Sequence, residues 1–311
     1  SEGFLEVETP ALQVCPGMEP HLMAFATSLE DLSGRELKQL YLHTSPEFAM
    51  KKLLAAGAGD IFQFARTYRN REGSRTHSPE FTMLEWYREG KDYRQIMEDT
   101  VALVCRAAEA AGVLELTWQG RISRPFKEWE RLSVREAFLR YAGIDLLASL
   151  GDGIAVEVDF LRREVESLGI ATMPDDSWED LFFRVFLEKI EPRLGSPIPT
   201  ILYDYPACMA ALARRKPEDP RFAERFEVYV SGLELANAFS ELTDPAEQRQ
   251  RFEFDMAKKE KLYGFRYPLD EDFLAALSIM PEAAGIALGF DRLVMLATGA
   301  EDIEEVLFAP L

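Results

Sequence analysis

The sequence predicts an α+β fold, an antiparallel sheet flanked by helices, and three features predict it. Asp60 to Tyr87 reads as strand, polar loop, strand. Arg225 to Leu242 repeats that pattern around Ser231-Gly232, a dipeptide suited to a tight turn. Around these stretches lie capped helical segments, the last of them following a glycine-punctuated strand that begins near Gly285. With 311 residues and 47% hydrophobic content, the chain can bury a sizeable core as one large domain or two smaller ones.

In chain order, Phe4 to Pro10 alternates Phe4, Glu6 and Glu8 with Leu5 and Val7, and ends at a proline that cannot continue a ladder. Cys15 to Leu22 is a loop punctuated by Pro16, Gly17 and Pro20. Thr44-Ser45-Pro46-Glu47 opens a helix with a hydroxyl cap, a proline in the first turn and a carboxylate near the positive end. It reads equally well as a good cap with no further role. Gly57 or Gly59 ends that helix.

In the first hairpin Ile61 to Tyr68 is rich in β-branched and aromatic residues, and period-two geometry puts Phe81, Met83, Glu85 and Tyr87 on one face of the second strand. A carboxylate buried there unpaired is costly, so Glu85 requires a cation from a substrate or a neighbouring residue. The loop carries Arg69, Arg71, Arg75 and His77, donors that suit phosphate or simply a solvated basic loop.

Asp92 caps an amphipathic helix whose apolar face comprises Tyr93, Ile96, Met97, Val101, Val104, Cys105 and Ala108, stopping near Gly112. From Val113 to Pro199 no chemistry stands out. Ser133 to Glu136 and Ser177 to Asp180 are capping-box patterns, so this segment is expected to be mostly helical. A strand follows at Pro199 to Tyr205. In the second hairpin Glu227 and Glu234 fall on neighbouring strands. Two close carboxylates repel unless a metal or a base lies between them, although outward-facing strand glutamates fit the pattern as well. Asn237, Phe239 and Glu241 share a face, and Glu234, of opposite parity, needs a bulge to join them. Asp244-Pro245 starts another capped helix, through Phe252 to Leu262. Gly285 to Arg292 then delivers an arginine to a helix start, where backbone approaches closely and the dipole favours anions.

Composition limits the partners. A formal net charge of -19 without an extended basic segment makes a poor general nucleic-acid binder. Cys15, Cys105 and Cys208 are scattered, so neither a disulfide framework nor a zinc site is indicated and a reducing cytoplasm is expected. No signal peptide or membrane-length apolar run is present, and no membrane partner is expected.

Arg66 to Asn70 followed by His77-Ser-Pro-Glu-Phe-Thr-Met-Leu-Glu-Trp-Tyr87 resembles motif 2 of the class II aminoacyl-tRNA synthetases, in the lysine-specific version. Phe4 to Pro10 resembles the end of motif 1, and Gly285 to Arg292 resembles motif 3. The resemblance covers essentially the whole chain. It is closer to a stand-alone ligase branch, which places (R)-β-lysine on elongation factor P, than to the synthetases themselves. The Pro16-Gly17-Met18-Glu19-Pro20-His21-Leu22 loop and Ala287, where synthetases have Gly, carry that distinction.

The resemblance implies a single class II synthetase-like catalytic domain over 1–311, with the helical insertion at about 113–199, and a homodimer built on motif 1. The chain opens already inside motif 1. The expectation is that no anticodon-binding barrel precedes it and that part of the natural N-terminus is missing. The co-substrate implied is ATP with Mg²⁺: adenine on Phe81, Arg69 on the α-phosphate, His77 and Arg292 near the outer phosphates, and Glu227 and Glu234 on the metal. Arg69 and Arg292 are the residues expected to be catalytic. For the amino acid, lysine or (R)-β-lysine, Glu47 is implied at one amine and Glu85, Tyr87 and Glu241 at the side-chain ammonium. Asn237 is implied at the carboxylate, with Phe239 and Ala287 lining the pocket.

The mechanism implied is in-line attack of the amino-acid carboxylate on the α-phosphorus, with positioning and charge neutralisation carrying most of the transfer. An acceptor amine then displaces AMP. One departure concerns adenine. Synthetases have Glu two residues after the motif 2 arginine, where this chain has Arg71, so Glu72 is the candidate replacement. Two other readings stand beside ligation to elongation factor P: a shortened lysyl-tRNA synthetase, and a non-catalytic paralogue that senses lysine or ATP. The presence of Arg69, Glu227, Glu234 and Arg292 counts against the sensor, and the acidity counts against tRNA as acceptor.

Overall fold

The structure is a computed structural model that describes residues 2–151 and 156–310. The chain forms two compact units, one made of Ser1–Lys91, Glu241–Met295 and Ala300–Leu311, the other of Asp92–Ser240 and Leu296–Gly299. The fold is mixed, with mostly antiparallel sheet flanked by helices.

In the first unit the motif 2 stretch is a regular hairpin. Ile61–Tyr68 pairs antiparallel with Glu80–Glu89 in an unbroken register from Ile61 opposite Tyr87 to Tyr68 opposite Glu80. The far edge of Glu80–Glu89 pairs antiparallel with Ala283–Gly289, setting Gly285 opposite Tyr87 and Ala287 opposite Glu85. The expected strand from Phe4 to Pro10 is shorter, Leu5–Glu6, and runs parallel to Ile61–Tyr68. Val7 adds one more ladder bond to Phe62, and the Thr9 hydroxyl then turns to the Gln63 side chain, so the chain leaves the sheet before Pro10. Leu12–Gln13, Glu36–Leu42 and Ala26–Glu30 make a small antiparallel sheet.

Three helices of this unit pack through aromatic rings. Glu47–Ala55 sets Phe48 against Phe273 of Glu271–Leu277, stacked at 4.2 Å between ring centres, and against Phe252 of Pro245–Tyr263 at 5.5 Å. The hydroxyl that caps Glu47–Ala55 is that of Ser45, which accepts the Glu47 N–H at 3.0 Å. Asp244 caps its helix as expected, taking the N–H groups of Ala246 and Glu247.

The second unit opens with Tyr93–Ala111, capped by Asp92 and closed by Gly112 in the left-handed region. Its hairpin, Phe222–Val230 with Leu233–Ser240, turns at Ser231 and Gly232, both at positive φ (54° and 82°), as a primed two-residue turn requires. Thr200–Pro206 pairs antiparallel with Phe222–Val230 and parallel with Glu130–Ser133. That last strand and the short pair Leu116–Trp118 and Arg121–Ser123 lie within the 113–199 segment, whose other regular elements are helical. Its helices are Val134–Ala142, Val158–Ser167 and Trp178–Val185, and both expected capping boxes are formed. They enclose a core of Phe138, Leu161, Val165, Trp178, Leu181 and Phe182 against Leu202, Tyr205 and Tyr229.

Phe182 is fully buried, with ring contacts to Phe138, Trp178 and Phe186. Truncation of a ring so enclosed forfeits both transfer energy and packing. Phe182→Ala is expected to cost about 3–5 kcal/mol in urea unfolding monitored by tryptophan fluorescence. A loss under about 1 kcal/mol would mean that the site refills on truncation.

Candidate active site

The first unit gathers a buried acidic cluster. Glu85 is fully buried, and its two oxygens accept the Ser45 hydroxyl at 2.6 Å and the Tyr87 hydroxyl at 2.8 Å. Among the described residues its direct partners are therefore hydroxyls, so of the two expected sources of a cation no neighbouring residue makes the contact. Burial, with Glu47 adding to it, pushes the Glu85 carboxyl up to about 8. Burial likewise raises the Tyr87 phenol well above its usual range, with Glu85 the next cause.

The cation belongs to the other two carboxylates. Lys51, one helical turn after Glu47 and 1% exposed, directs its Nζ at both Glu47 and Glu241. Burial opposes its charge, but Glu241 and Glu47 outweigh that, and the ammonium is held above its usual range. Glu241 is pushed up to about 8 by burial, against the pull of Lys51. Burial raises Glu47 as well, with Lys51 opposing and Glu19 adding to the rise. Glu241 Oε2 meets Lys51, whereas Oε1 has no hydrogen-bond partner among the described residues.

Gly285 closes this pocket from the neighbouring strand. A Cβ there would stand 2.3 Å from Tyr87 Cε1 and 2.8 Å from Glu241 Oε1, so only glycine leaves the phenol and the carboxylate in place. Ala287 sits opposite Glu85 and is partly exposed in an otherwise buried run from Ala283 to Leu288. Lys51 did not stand out in the sequence, and Gly285 did so only as the start of a glycine-punctuated strand, not as a wall of this pocket. The Glu47/Lys51 spacing of four residues was the available signal for the first.

The basic side chains of the same unit lie along the hairpin loop. Arg69 donates through Nε to the Thr44 carbonyl at 3.3 Å and holds its guanidinium 5.2 Å from the centre of the Phe81 ring. Arg292, in the first turn of the Phe290–Thr298 helix, donates to the Thr76 carbonyl at 3.1 Å and to His77 Nε2 at 2.7 Å. Burial, with Arg292 and then Arg69 beside it, lowers His77 to about 4. The imidazole is therefore neutral near pH 7 and accepts from Arg292, while Nδ1 faces the Ser74 hydroxyl at 2.8 Å. Asp291 accepts the Thr82 N–H at 2.6 Å and ties the start of that helix to the motif 2 strand. Arg71 adopts a left-handed conformation (φ 65°) supported by the Asn70 side chain, and Glu72 after it is half-buried.

The second unit holds the remaining candidates. The register steps from Val228/Ala236 to Tyr229/Glu234, leaving Leu235 as an extra residue. That bulge is the one the sequence required, and it puts Glu234 on the face shared by Glu227, Asn237 and Phe239. Glu227 is almost fully engaged: Oε2 accepts the hydroxyls of Tyr205 and Tyr229, both at 2.6 Å, and Oε1 accepts Arg225 at 2.5 Å. Arg225 also donates to Asn237 Oδ1 at 3.1 Å, which leaves the Asn237 amide N–H groups as the free donors, as contact with a carboxylate requires. Oε1 of Glu227 retains a second lone pair, so two oxygen ligands on one face fit Mg²⁺ shared with nucleotide phosphates. Among the described residues no cluster of three or more metal-ligating side chains exists.

Comparison with known proteins gives concordant results. A family model for class II tRNA synthetases (D, K and N) matches residues 1–311. The "Elongation factor P--(R)-beta-lysine ligase" of Vibrio cholerae is 40% identical over 309 residues, 98% of this chain and 88% of that protein. The protein of the same name from Pectobacterium atrosepticum is 42% identical over 308 residues, 98% of this chain and 88% of that protein. The one from Proteus mirabilis is 40% identical over 317 residues, 99% of this chain and 89% of that protein.

Gly285→Ala should force Tyr87 aside and crowd Glu241. The expected outcome is a rise of at least about tenfold in the amino-acid KM, with a much smaller change in the ATP KM, measured by ATP–pyrophosphate exchange. Equal changes in both constants would show that Gly285 serves the sheet and not the pocket.

Proposed function

On the premise that the chain belongs to the class II tRNA synthetase family, we propose that it is an ATP-dependent ligase that activates (R)-β-lysine, or lysine, and transfers it to a lysine side chain of elongation factor P. The observation that carries this reading is the set of buried Glu85, Glu241 and Tyr87 with the partly exposed Glu47, a pocket whose three carboxyls against one lysine suit an amino acid bearing two ammonium groups. The names of the relatives supply the acceptor.

In the first step an oxygen of the amino-acid carboxylate forms a bond to the α-phosphorus of ATP and pyrophosphate leaves. Arg69 balances charge at the α-phosphate. Arg292, held by neutral His77, serves the outer phosphates, and Phe81 offers a face to adenine. Glu72 is proposed at the adenine edge. Asn237 orients the carboxylate and Phe239 lines the same face, while Glu47, Glu85, Tyr87 and Glu241 hold the amines. Glu227 and Glu234 are the proposed Mg²⁺ ligands; when bound, Mg²⁺ withdraws charge from the phosphate oxygens. In the second step the acceptor amine, after losing a proton, forms the amide bond at the activated carbonyl and AMP leaves with the bonding pair. A homodimer, a single catalytic domain over 1–311 and a cytoplasmic location complete the proposal. Among the described residues, no helix is long and apolar enough to cross a membrane.

Transfer to tRNA is the alternative outcome. A net charge of -19 works against the many phosphate contacts that such an acceptor needs at physiological salt.

Glu85→Gln and Glu241→Gln are each expected to slow lysine-dependent ATP–pyrophosphate exchange by about a hundredfold, since each removes a charged partner from a desolvated ammonium. Wild-type exchange in both would remove the pocket assignment. The acceptor is tested by incubating the protein with ATP and each lysine isomer, together with elongation factor P or total tRNA, and following mass gain on each. Modified elongation factor P is expected. Efficient charging of tRNA beside an unmodified factor would return the protein to the synthetases.

A further inference from the structure

The acidic pocket contains its own cation. Glu47, Glu85 and Glu241 are three carboxylates with little or no access to water, and Lys51 reaches two of them with a single ammonium. The charged and titratable groups that face this set are Lys51 from the helix, Tyr87 from the sheet and Glu19 from the preceding loop. Glu19 acts on Glu47 and also supports the charge of Lys259, so its charge is counted against that of Lys259. Lys259 is itself buried and spends its Nζ on the carbonyls of Glu19, Pro20 and Leu22.

We propose that Lys51 is a positioning residue that sets the charge capacity of the amino-acid pocket: it cancels one of three carboxylates, holds Glu47 and Glu241 in a fixed geometry, and leaves room for two further ammonium groups. The inference rests on the function proposed above. Three negative charges against Lys51 leave a deficit of two, and a diamino acid fills it with the group its α- or β-carbon carries and the one at its far end. A monoamino acid would leave a buried carboxylate uncompensated, which is costly.

A second consequence concerns protons. Without substrate the deficit is met by protonation, which is why burial holds Glu85 and Glu241 near 8. Each proton kept in this way must leave as an ammonium arrives: the carboxylic O–H bond breaks, the carboxylate stays, and the proton passes to solvent. Lysine binding near pH 7 therefore releases protons, and affinity improves as pH rises toward 8. Without Lys51 the carboxylates lose their internal cation and hold protons to still higher pH.

The test combines calorimetry with pH profiles. Lysine and β-lysine are titrated into the wild-type protein at pH 7 in two buffers of different ionisation enthalpy, and release of about two protons per amino acid bound is expected. In Lys51→Met the amino-acid KM should rise about a hundredfold and the rising limb of kcat/KM against pH should move to higher pH, with the ATP KM unchanged. Lys51→Arg, which keeps the charge, should retain the wild-type profile. A lysine that only braced the helix would lower kcat/KM by the same factor at every pH. A Lys51→Met profile parallel to wild type, or wild-type binding without proton release, overturns the proposal. Should Lys51→Met fail to fold, Lys51→Gln takes its place in the pH profile, and wild-type binding without proton release still overturns the proposal. If neither isomer binds the wild-type protein, it is the proposed function that falls; binding without proton release leaves that function standing and removes only the role of Lys51.

Discussion

Burying carboxylates is the constraint on which the first unit turns. An ionised carboxylate removed from water loses many kcal/mol of hydration, and a protein recovers it through hydrogen bonds, a counter-ion or a proton. All three devices occur here within a few residues. Glu85 has the hydroxyls of Ser45 and Tyr87, Glu47 and Glu241 share Lys51, and burial raises all three carboxyls, Glu85 and Glu241 to about 8. The helix Glu47–Ala55 carries Glu47 and Lys51, and it is anchored beside them by Phe48 on Phe273 and Phe252. Aromatic packing thus holds in place an arrangement that electrostatics alone would disperse.

The second unit solves a different problem, that of bringing polar groups from adjacent strands to one face. Regular alternation would have put Glu234 on the side away from Asn237, and the extra residue Leu235 corrects it. A second irregularity lies on Thr200–Pro206, where Asp204 takes φ 58° and the register steps between Tyr203 and Tyr205. Asp204 is held in that conformation by the Tyr93 hydroxyl at 2.8 Å and by Lys216. The step brings Tyr205 to the face of Glu227, whose oxygen it then donates to. Each bulge costs ladder regularity, and each brings a polar side chain, Glu234 or Tyr205, to the face of Glu227.

The sequence was most legible where structure is local. Both hairpins, the Asp92 and Asp244 caps, the two capping boxes and the bulge at Glu234 follow from residue order and short-range geometry, and they stand in the structure. The assignment of carboxylates to cations was not legible. Lys51 looked like one more polar residue in an amphipathic helix, and its second partner, Glu241, is 190 residues away in sequence. Arg225 was hidden for a like reason, because its contacts with Glu227 and Asn237 depend on register, not on spacing. Gly285 carried the weakest signal of all. A glycine in a strand marks a close approach, but the approaching groups, Tyr87 and Glu241, come from other elements.

The basic loop shows how neutral acceptors can orient concentrated positive charge. Arg69 and Arg292 both bear on His77, and a protonated imidazole would add a third charge to the same site. Burial and the two guanidiniums keep the ring neutral instead, so that Nε2 serves as an acceptor for Arg292 and fixes its direction. The Thr76 carbonyl, a second acceptor for the same guanidinium, fixes its plane. Both arginines are thus oriented by neutral acceptors, Arg69 by the Thr44 carbonyl and the face of Phe81. A carboxylate in place of any of these would orient equally well but would cancel the charge on which the proposed phosphate contact rests. Neutral acceptors do not cancel that charge, and they hold the guanidiniums in place ahead of the anion proposed above.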